Sequence, residues 1–143
     1  MGTTIGIDES ATYPHPPEEV WKLCGDPGEI AAWLPPVQKS WMEGDIRHAE
    51  LAGGGVAREK IVSHQDSARR YDYEYLDGPM VLRAFTSRFA VEADGDSGSR
   101  IHWTATFEAD DTEQGRQLEQ AIAGMYSSGL ANIAAVLDSS NGR

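Results

Sequence analysis

The stretch TEQGRQLEQAIAGMYSSGLANIAAVL, residues 112–137, decides how the rest of the chain folds. Asp111 stands where a helix cap belongs, with Gln114 three residues on, and Leu118, Ile122, Met125, Gly129, Ile133 and Val136 recur at helical spacing. The spacing predicts an amphipathic helix of roughly 39 Å, the only segment long and regular enough to cover what precedes it. Its apolar face is uneven, because Ala121, Gly124 and Gly129 are small where a core-filling helix carries Leu or Ile. Interior glycines cost roughly 1 kcal/mol each relative to alanine. Two structures compensate for that cost: a cavity beside the helix, or close approach of the helix to a sheet.

Upstream of the helix, the period is two. Residues Val37 to Glu43, Ile46 to Ala52, Val56 to Gln65, Ala68 to Leu76, Leu82 to Ala93 and Arg100 to Glu108 read as strands. Turn chemistry separates them at Gly44-Asp45, Gly53-Gly54-Gly55, Asp66-Ser67 and Asp94 to Ser99, which predicts an antiparallel meander. Asp77-Gly78-Pro79 with Met80 makes a more open connection, followed by the apolar pair Val81 and Leu82. A further strand, Thr4 to Tyr13, comes first and suits a sheet edge. Pro17 then opens a short helix ending at Gly25, and Asp26 caps a second that runs to Trp33 before Pro35 and Pro36. The expected fold is α+β, with a curved antiparallel sheet covered by the C-terminal helix and two short helices after the first strand. Residues 1–138 are expected to form one domain and residues 139–143 a frayed tail.

Alternation assigns faces. Tyr71, Tyr73 and Tyr75 share one side, as do Phe85, Ser87, Phe89 and Val91, and Ile101, Trp103, Ala105 and Phe107. A three-residue loop at Gly53-Gly54-Gly55 puts Arg47, Ala49 and Leu51 on the same face as Ala57, Glu59 and Ile61, with Arg47 diagonally across the hairpin from Glu59. The parity of Val37 and Trp41 includes Lys39. A face bearing aromatics together with Lys39, Arg47 and Glu59 is either a ligand site or a dry core holding a buried ion pair with a lysine at the rim.

Composition removes several function classes. A net charge of -11 argues against nucleic acid and anionic membrane surfaces. Cys24 stands alone, which excludes a disulfide framework and a cysteine metal site, and no apolar run reaches membrane-spanning length. A cytoplasmic protein with no stable membrane insertion is expected. His15, His48, His64 and His102 are scattered, so no metal site is expected, and no phosphate-cradle, HExxH, GxSxG or CxxC pattern occurs. No cofactor is implied. Oligomeric state is open between monomer and homodimer.

The segments Trp33-Leu34-Pro35-Pro36-Val37, Gly54 to Ile61, Arg69-Arg70-Tyr71-Asp72-Tyr73 and Asp77-Gly78-Pro79, with Trp103 and Met125 to Asn132, resemble the polyketide cyclase/dehydrase and lipid-transport branch of the START-like (SRPBCC) superfamily. The resemblance implies a helix-grip fold, in which a seven-stranded antiparallel sheet wraps the C-terminal helix and leaves a deep cavity for a small hydrophobic molecule. The layout is also similar to that of plant abscisic-acid receptors. By that resemblance Lys39 falls at a lysine that meets a ligand carboxylate, Glu59 at a cavity glutamate, Phe85 at a pocket tyrosine, Ser87 at a pocket serine, and Met125 and Gly129 at ligand-facing helix positions. The loops Gly53-Gly54-Gly55 and Asp77 to Leu82 lack the receptors' gate and latch residues, so hormone sensing is not implied.

Two functions fit these residues. The first is a carrier or binding protein for a small, mostly apolar ligand with one anionic or carbonyl group. Trp33, Trp41, Tyr73, Tyr75, Phe85, Ser87, Phe89, Trp103, Met125 and Gly129 would line its site, with Lys39, Arg47 and Glu59 as the polar contacts. The alternative is a polyketide cyclase, aromatase or dehydratase with Glu59 as base, Tyr73 or Tyr75 as proton donor, and Lys39 or Arg47 stabilising an enolate.

Overall fold

A computed structural model of the chain describes residues 2–141, with side chains through residue 139. Strand β1 (Thr3–Tyr13) leads into helix α1 (Pro17–Cys24) and a 3-10 segment (Pro27–Ala32). Six strands follow: β2 (Val37–Glu43), β3 (Ile46–Leu51), β4 (Val56–Gln65), β5 (Arg70–Asp77), β6 (Arg83–Asp94) and β7 (Gly98–Ala109). Helix α2 (Thr112–Asn141) closes the described chain. The strands form one antiparallel sheet in the order β1-β7-β6-β5-β4-β3-β2, a meander with β1 returning to pair with β7. This is the expected helix-grip α+β architecture.

Local chemistry accounts for the boundaries. Pro17 sits at the first position of α1, where its missing N–H costs nothing, and the Asp26 carboxylate accepts from Gly28 N at 2.9 Å to open the 3-10 segment. At the start of α2, Gln114 N donates to Asp111 Oδ1 at 2.8 Å while Gln114 Oε1 accepts from Asp110 N at 2.7 Å, so two orphan backbone donors are satisfied. The helix then continues through Asn141, so residues 139–141 of the expected tail are helical and residues 142–143 lie outside the described residues.

Helix α2 rests on the β1–β7 side of the sheet. Tyr13 on β1 donates its hydroxyl hydrogen to the Leu130 carbonyl at 2.8 Å. The large side chains buried on α2 are Ile122, Tyr126, Leu130, Ile133 and Leu137. This stripe differs from the expected one by a small rotation, with consequences for its small residues. Ala121 and Gly124 face solvent, and a methyl group added at Gly124 would meet nothing within 4 Å. At Gly129 the same methyl would lie 2.6 Å from Leu34 Cδ1 and 3.2 Å from the Trp33 ring, so this glycine allows close approach.

Inward faces follow the predicted parity in β3 to β7. Tyr71, Tyr73, Phe85, Phe89, Val91, Ile101, Trp103, Ala105 and Phe107 are all buried. Parity fails in β2. The register shifts between Val37, which pairs with Leu51, and Lys39, which pairs with Glu50. That bulge leaves Val37 inside and turns the following residues over. Trp41 therefore pairs with His48 on the outer face, the two rings stacked at 5.2 Å and 6°. Lys39 is exposed, its ammonium 5.5 Å from the Trp41 ring.

Candidate functional site

Between the β3–β5 half of the sheet and α2 lies a cavity of about 80 Å³. One water needs roughly 10–15 Å³ on such a scale, so the space suits about half a dozen waters or a molecule of one or two rings. Its walls are Arg47, Ala49 and Leu51 from β3, Ala57 and Glu59 from β4, and Tyr73, Tyr75 and Phe85 from β5 and β6. Ile122, Met125 and Tyr126 form the helix side, Trp103 comes from β7, and Ile30, Leu34 and Val37 close one end. Pro79, Met80 and Leu82 reach over it from the β5–β6 loop, which Tyr75 holds by donating its hydroxyl hydrogen to the Met80 carbonyl at 2.8 Å. Across the mouth, a Cβ on Gly55 would come within 2.6 Å of Pro79 Cγ, so the two loops touch there.

Seven of the expected site residues reach the cavity wall: Arg47, Glu59, Tyr73, Tyr75, Phe85, Trp103 and Met125. Trp33 and Phe89 pack on Trp103, each with ring centroids within 5.4 Å, and form a layer behind the wall. Gly129 packs against Leu34, Trp33 and Trp103 instead of lining the space. Ser87 is off the wall and reaches the site through its bond to Tyr126. Lys39 and Trp41 are removed from it by the β2 bulge, so the lysine expected to meet a ligand carboxylate is not available.

Two polar systems stand in this apolar surround. Arg47 and Glu59 are direct cross-strand partners, closer than the expected diagonal. Arg47 Nε donates to Glu59 Oε1 at 3.0 Å, and Nη2 lies 2.9 Å from the same oxygen as an ion-pair contact without hydrogen-bonding alignment. Nη1 donates to the Pro27 carbonyl at 3.2 Å and to the Tyr71 hydroxyl at 3.1 Å, while the guanidinium carbon sits 4.6 Å from the centre of the Tyr73 ring. Burial works against this charge, but the Glu59 carboxylate and the Tyr71 and Tyr73 oxygens outweigh it, and the guanidinium is held above its ordinary range. Arg47 stays a cation, and a neutralised one.

The second system is a chain of hydrogen bonds: Trp103 Nε1 to Tyr73 Oη at 3.2 Å, Tyr73 Oη to Tyr126 Oη at 3.2 Å, Tyr126 Oη to Ser87 Oγ at 2.9 Å, and Ser87 Oγ to the Thr104 carbonyl at 2.8 Å. Its ends fix its direction. An indole N–H only donates and a carbonyl only accepts, so Ser87 must give its proton to Thr104, Tyr126 to Ser87, and Tyr73 to Tyr126. Four protons make four bonds. Desolvation pushes both the Tyr73 and Tyr126 hydroxyls up from the ordinary tyrosine range, so both keep their protons. Trp103 stacks on Tyr126 at 3.8 Å and 6° and holds the ring in place.

Tyr126 is the main site residue that the alternation and helical-spacing arguments missed. Its signal was the i, i+4 series Ile122, Tyr126, Leu130, one step out of phase with the Met125-centred stripe. Among the described residues no group of three or more His, Cys, Asp or Glu stands close enough to hold a metal ion. No helix among them is long and apolar enough to cross a membrane.

A curved antiparallel sheet gripping a C-terminal helix around an apolar cavity with a few convergent polar groups defines a helix-grip protein of the START-like class. The chain belongs to the polyketide cyclase / dehydrase and lipid transport family, whose model matches residues 4–138. No curated protein matches it in sequence. Among solved structures it is similar to the protein XoxI from Bacillus cereus, with a TM-score of 0.87 at 23% identity over 93% of this chain and 95% of that one. A solution structure from Thermobifida fusca gives 0.83 at 26% identity over 93% of both chains. The Zhui aromatase/cyclase from Streptomyces sp. R1128 gives 0.76 at 15% identity over 95% of this chain and 94% of that one, a likeness of fold.

Proposed function

We propose that this protein binds a small hydrophobic molecule, polyketide-like or lipid-like, in the cavity between its sheet and C-terminal helix, and serves as a binding or carrier protein. The observation that carries this reading is an apolar cavity with few polar groups, most of which are engaged with one another. The Arg47 charge is balanced by Glu59, and the Tyr73 proton is committed to Tyr126. Such a lining orients a ligand without holding a poised acid or a free cation. Filling the space tests the idea. Ala49 is buried and on the wall, so Ala49→Leu should lower the affinity for a bicyclic aromatic probe at least about tenfold, measured by calorimetry. Unchanged affinity would place binding elsewhere.

A cyclase, aromatase or dehydratase reading has one specific support. Both contacts from Arg47 fall on Glu59 Oε1, and Glu59 lines the cavity with 15% of its side chain exposed, so Oε2 is not engaged by Arg47 and is available as a base. Tyr73 would act as the acid after release from Tyr126. Under this reading Glu59→Gln abolishes turnover of a poly-β-keto substrate while its binding persists. Turnover that survives the substitution excludes Glu59 as the base.

A further inference from the structure

We infer that the ligand carries an uncharged carbonyl group whose oxygen accepts a hydrogen bond from Nη2 of Arg47. This rests on the ligand-binding reading above and goes beyond it by naming the group on the ligand and the residue that takes it.

An incompletely satisfied arginine leads to it. Nε of Arg47 donates to Glu59 Oε1, and Nη1 donates to the Pro27 carbonyl and the Tyr71 hydroxyl. Nη2 lies on the Glu59 edge of the guanidinium, 2.9 Å from the same Oε1 but out of line with it, and makes no hydrogen bond. Several enclosed side-chain polar atoms of the described residues have no partner, and of these only Arg47 Nη2 belongs to a residue on the cavity wall. Leaving a buried donor without an acceptor costs more than an average hydrogen bond returns, and the cost is larger for a charged group. Other protons on the wall are committed: Tyr75 donates to the Met80 carbonyl, Trp103 to Tyr73, and Tyr73 to Tyr126. An acceptor on the ligand therefore finds its open N–H at Arg47.

Charge selects among acceptors. The Glu59 carboxylate already balances Arg47, so a carboxylate ligand would bring a second negative charge into an apolar wall beside the first. A ketone, aldehyde or ester oxygen brings lone pairs without that charge and has no proton of its own to place. An alkene of the same shape fills the cavity and leaves Nη2 unpartnered. Ketone and alkene isosteres therefore differ at one hydrogen bond, and a merely structural role for Arg47 would change both affinities together and leave their ratio alone.

The test is calorimetric titration of the full chain with 2-acetonaphthone, its alkene isostere 2-isopropenylnaphthalene, 2-naphthoate and 2-naphthol, for the wild type and the double variant Arg47→Met with Glu59→Met, which removes the donor without stranding a charge. On the wild type the ketone is expected to bind about 10- to 100-fold more tightly than the alkene, the range of one hydrogen bond to a charged group, and at least about tenfold more tightly than the carboxylate. In the double variant the ketone-to-alkene ratio should fall to about one. The infrared carbonyl stretch of the bound ketone should lie below its frequency in an apolar solvent on the wild type and return to it in the variant. If the double variant does not fold, the wild-type ranking and stretch still decide. An alkene or carboxylate that equals the ketone, a naphthol that outranks it, an unshifted stretch, or an unchanged ratio in the folded variant overturns the proposal and leaves cavity binding standing. Failure of all four probes to bind removes both the proposal and the binding function beneath it.

Discussion

Arg47 has no solvent exposure, yet it keeps its charge because every neighbour on its inner side is an acceptor or a ring face. Its worth is mainly the cost of losing it. Arg47→Met would strand the Glu59 carboxylate in a cavity wall with 15% of its side chain in contact with solvent. Breaking a buried pair from one side costs about 3–5 kcal/mol, and the partial exposure of Glu59 favours the lower end. Urea denaturation should therefore show a loss of about 3 kcal/mol for Arg47→Met. The double variant Arg47→Met with Glu59→Gln should recover more than half of it, since no uncompensated charge remains. If the double variant is no better than the single one, the stability comes from the arginine's packing on Tyr73 and Tyr71 instead.

At the scale of elements, two glycines five residues apart in α2 make opposite predictions. Gly124 is open to solvent, so Gly124→Ala should gain the helix propensity of alanine, about 0.5–1 kcal/mol, seen as a higher Tm. Gly129→Ala should gain none of it, because its methyl must displace Leu34 and press on the Trp33 and Trp103 rings. A second junction links β1, α1 and α2 through His15, whose Nδ1 lies 2.7 Å from Glu19 and whose Nε2 lies 3.2 Å from Asp138. Burial opposes its protonation, but the hydrogen bonds to Asp138 and Glu19 prevail and raise its pKa above the usual 6.5. A pKa higher folded than unfolded gives stabilisation that is complete below about 6.5 and is lost as pH rises through the folded value. His15→Gln should flatten that decline in denaturation midpoints measured from pH 6 to pH 9 (~3 pH units). These elements also show what could be read from the chain. Order, strand number and helix came from period and turn chemistry, and the Arg47–Glu59 pair from parity across the Gly53-Gly54-Gly55 loop. A single bulge after Val37 reversed Lys39 and Trp41, since period-two reasoning carries one slip to the end of a strand. Gly124 and Gly129 are the same letter in opposite surroundings, and only the rotation of the helix against the sheet separates them.

For the whole molecule, the packing is uneven by construction. Helix α2 seats on β1 and β7 through the Tyr13 and Gly129 contacts, and its other flank is left standing off from β3 to β5, where the cavity forms. Interiors normally pack to crystal density, so a persistent void under an otherwise filled sheet forgoes dispersion contacts that the fold would gain by collapsing. The residues that keep it open are small where other wall positions are large: Ala49 and Ala57 share the cavity wall with Arg47, Tyr73, Tyr75, Phe85 and Trp103. If those alanines serve ligand binding, stability and binding must oppose each other at this site. Ala49→Leu adds three carbons to a space of about 80 Å³. At about 0.8 kcal/mol per buried carbon, less some repacking strain, the variant should be about 1–2 kcal/mol more stable than the wild type in urea denaturation while losing its probe affinity. Lower stability together with lost binding would mean that the wall has no room to spare and that the cavity is a packing fault. Higher stability with lost binding is the signature of a space kept open for a ligand.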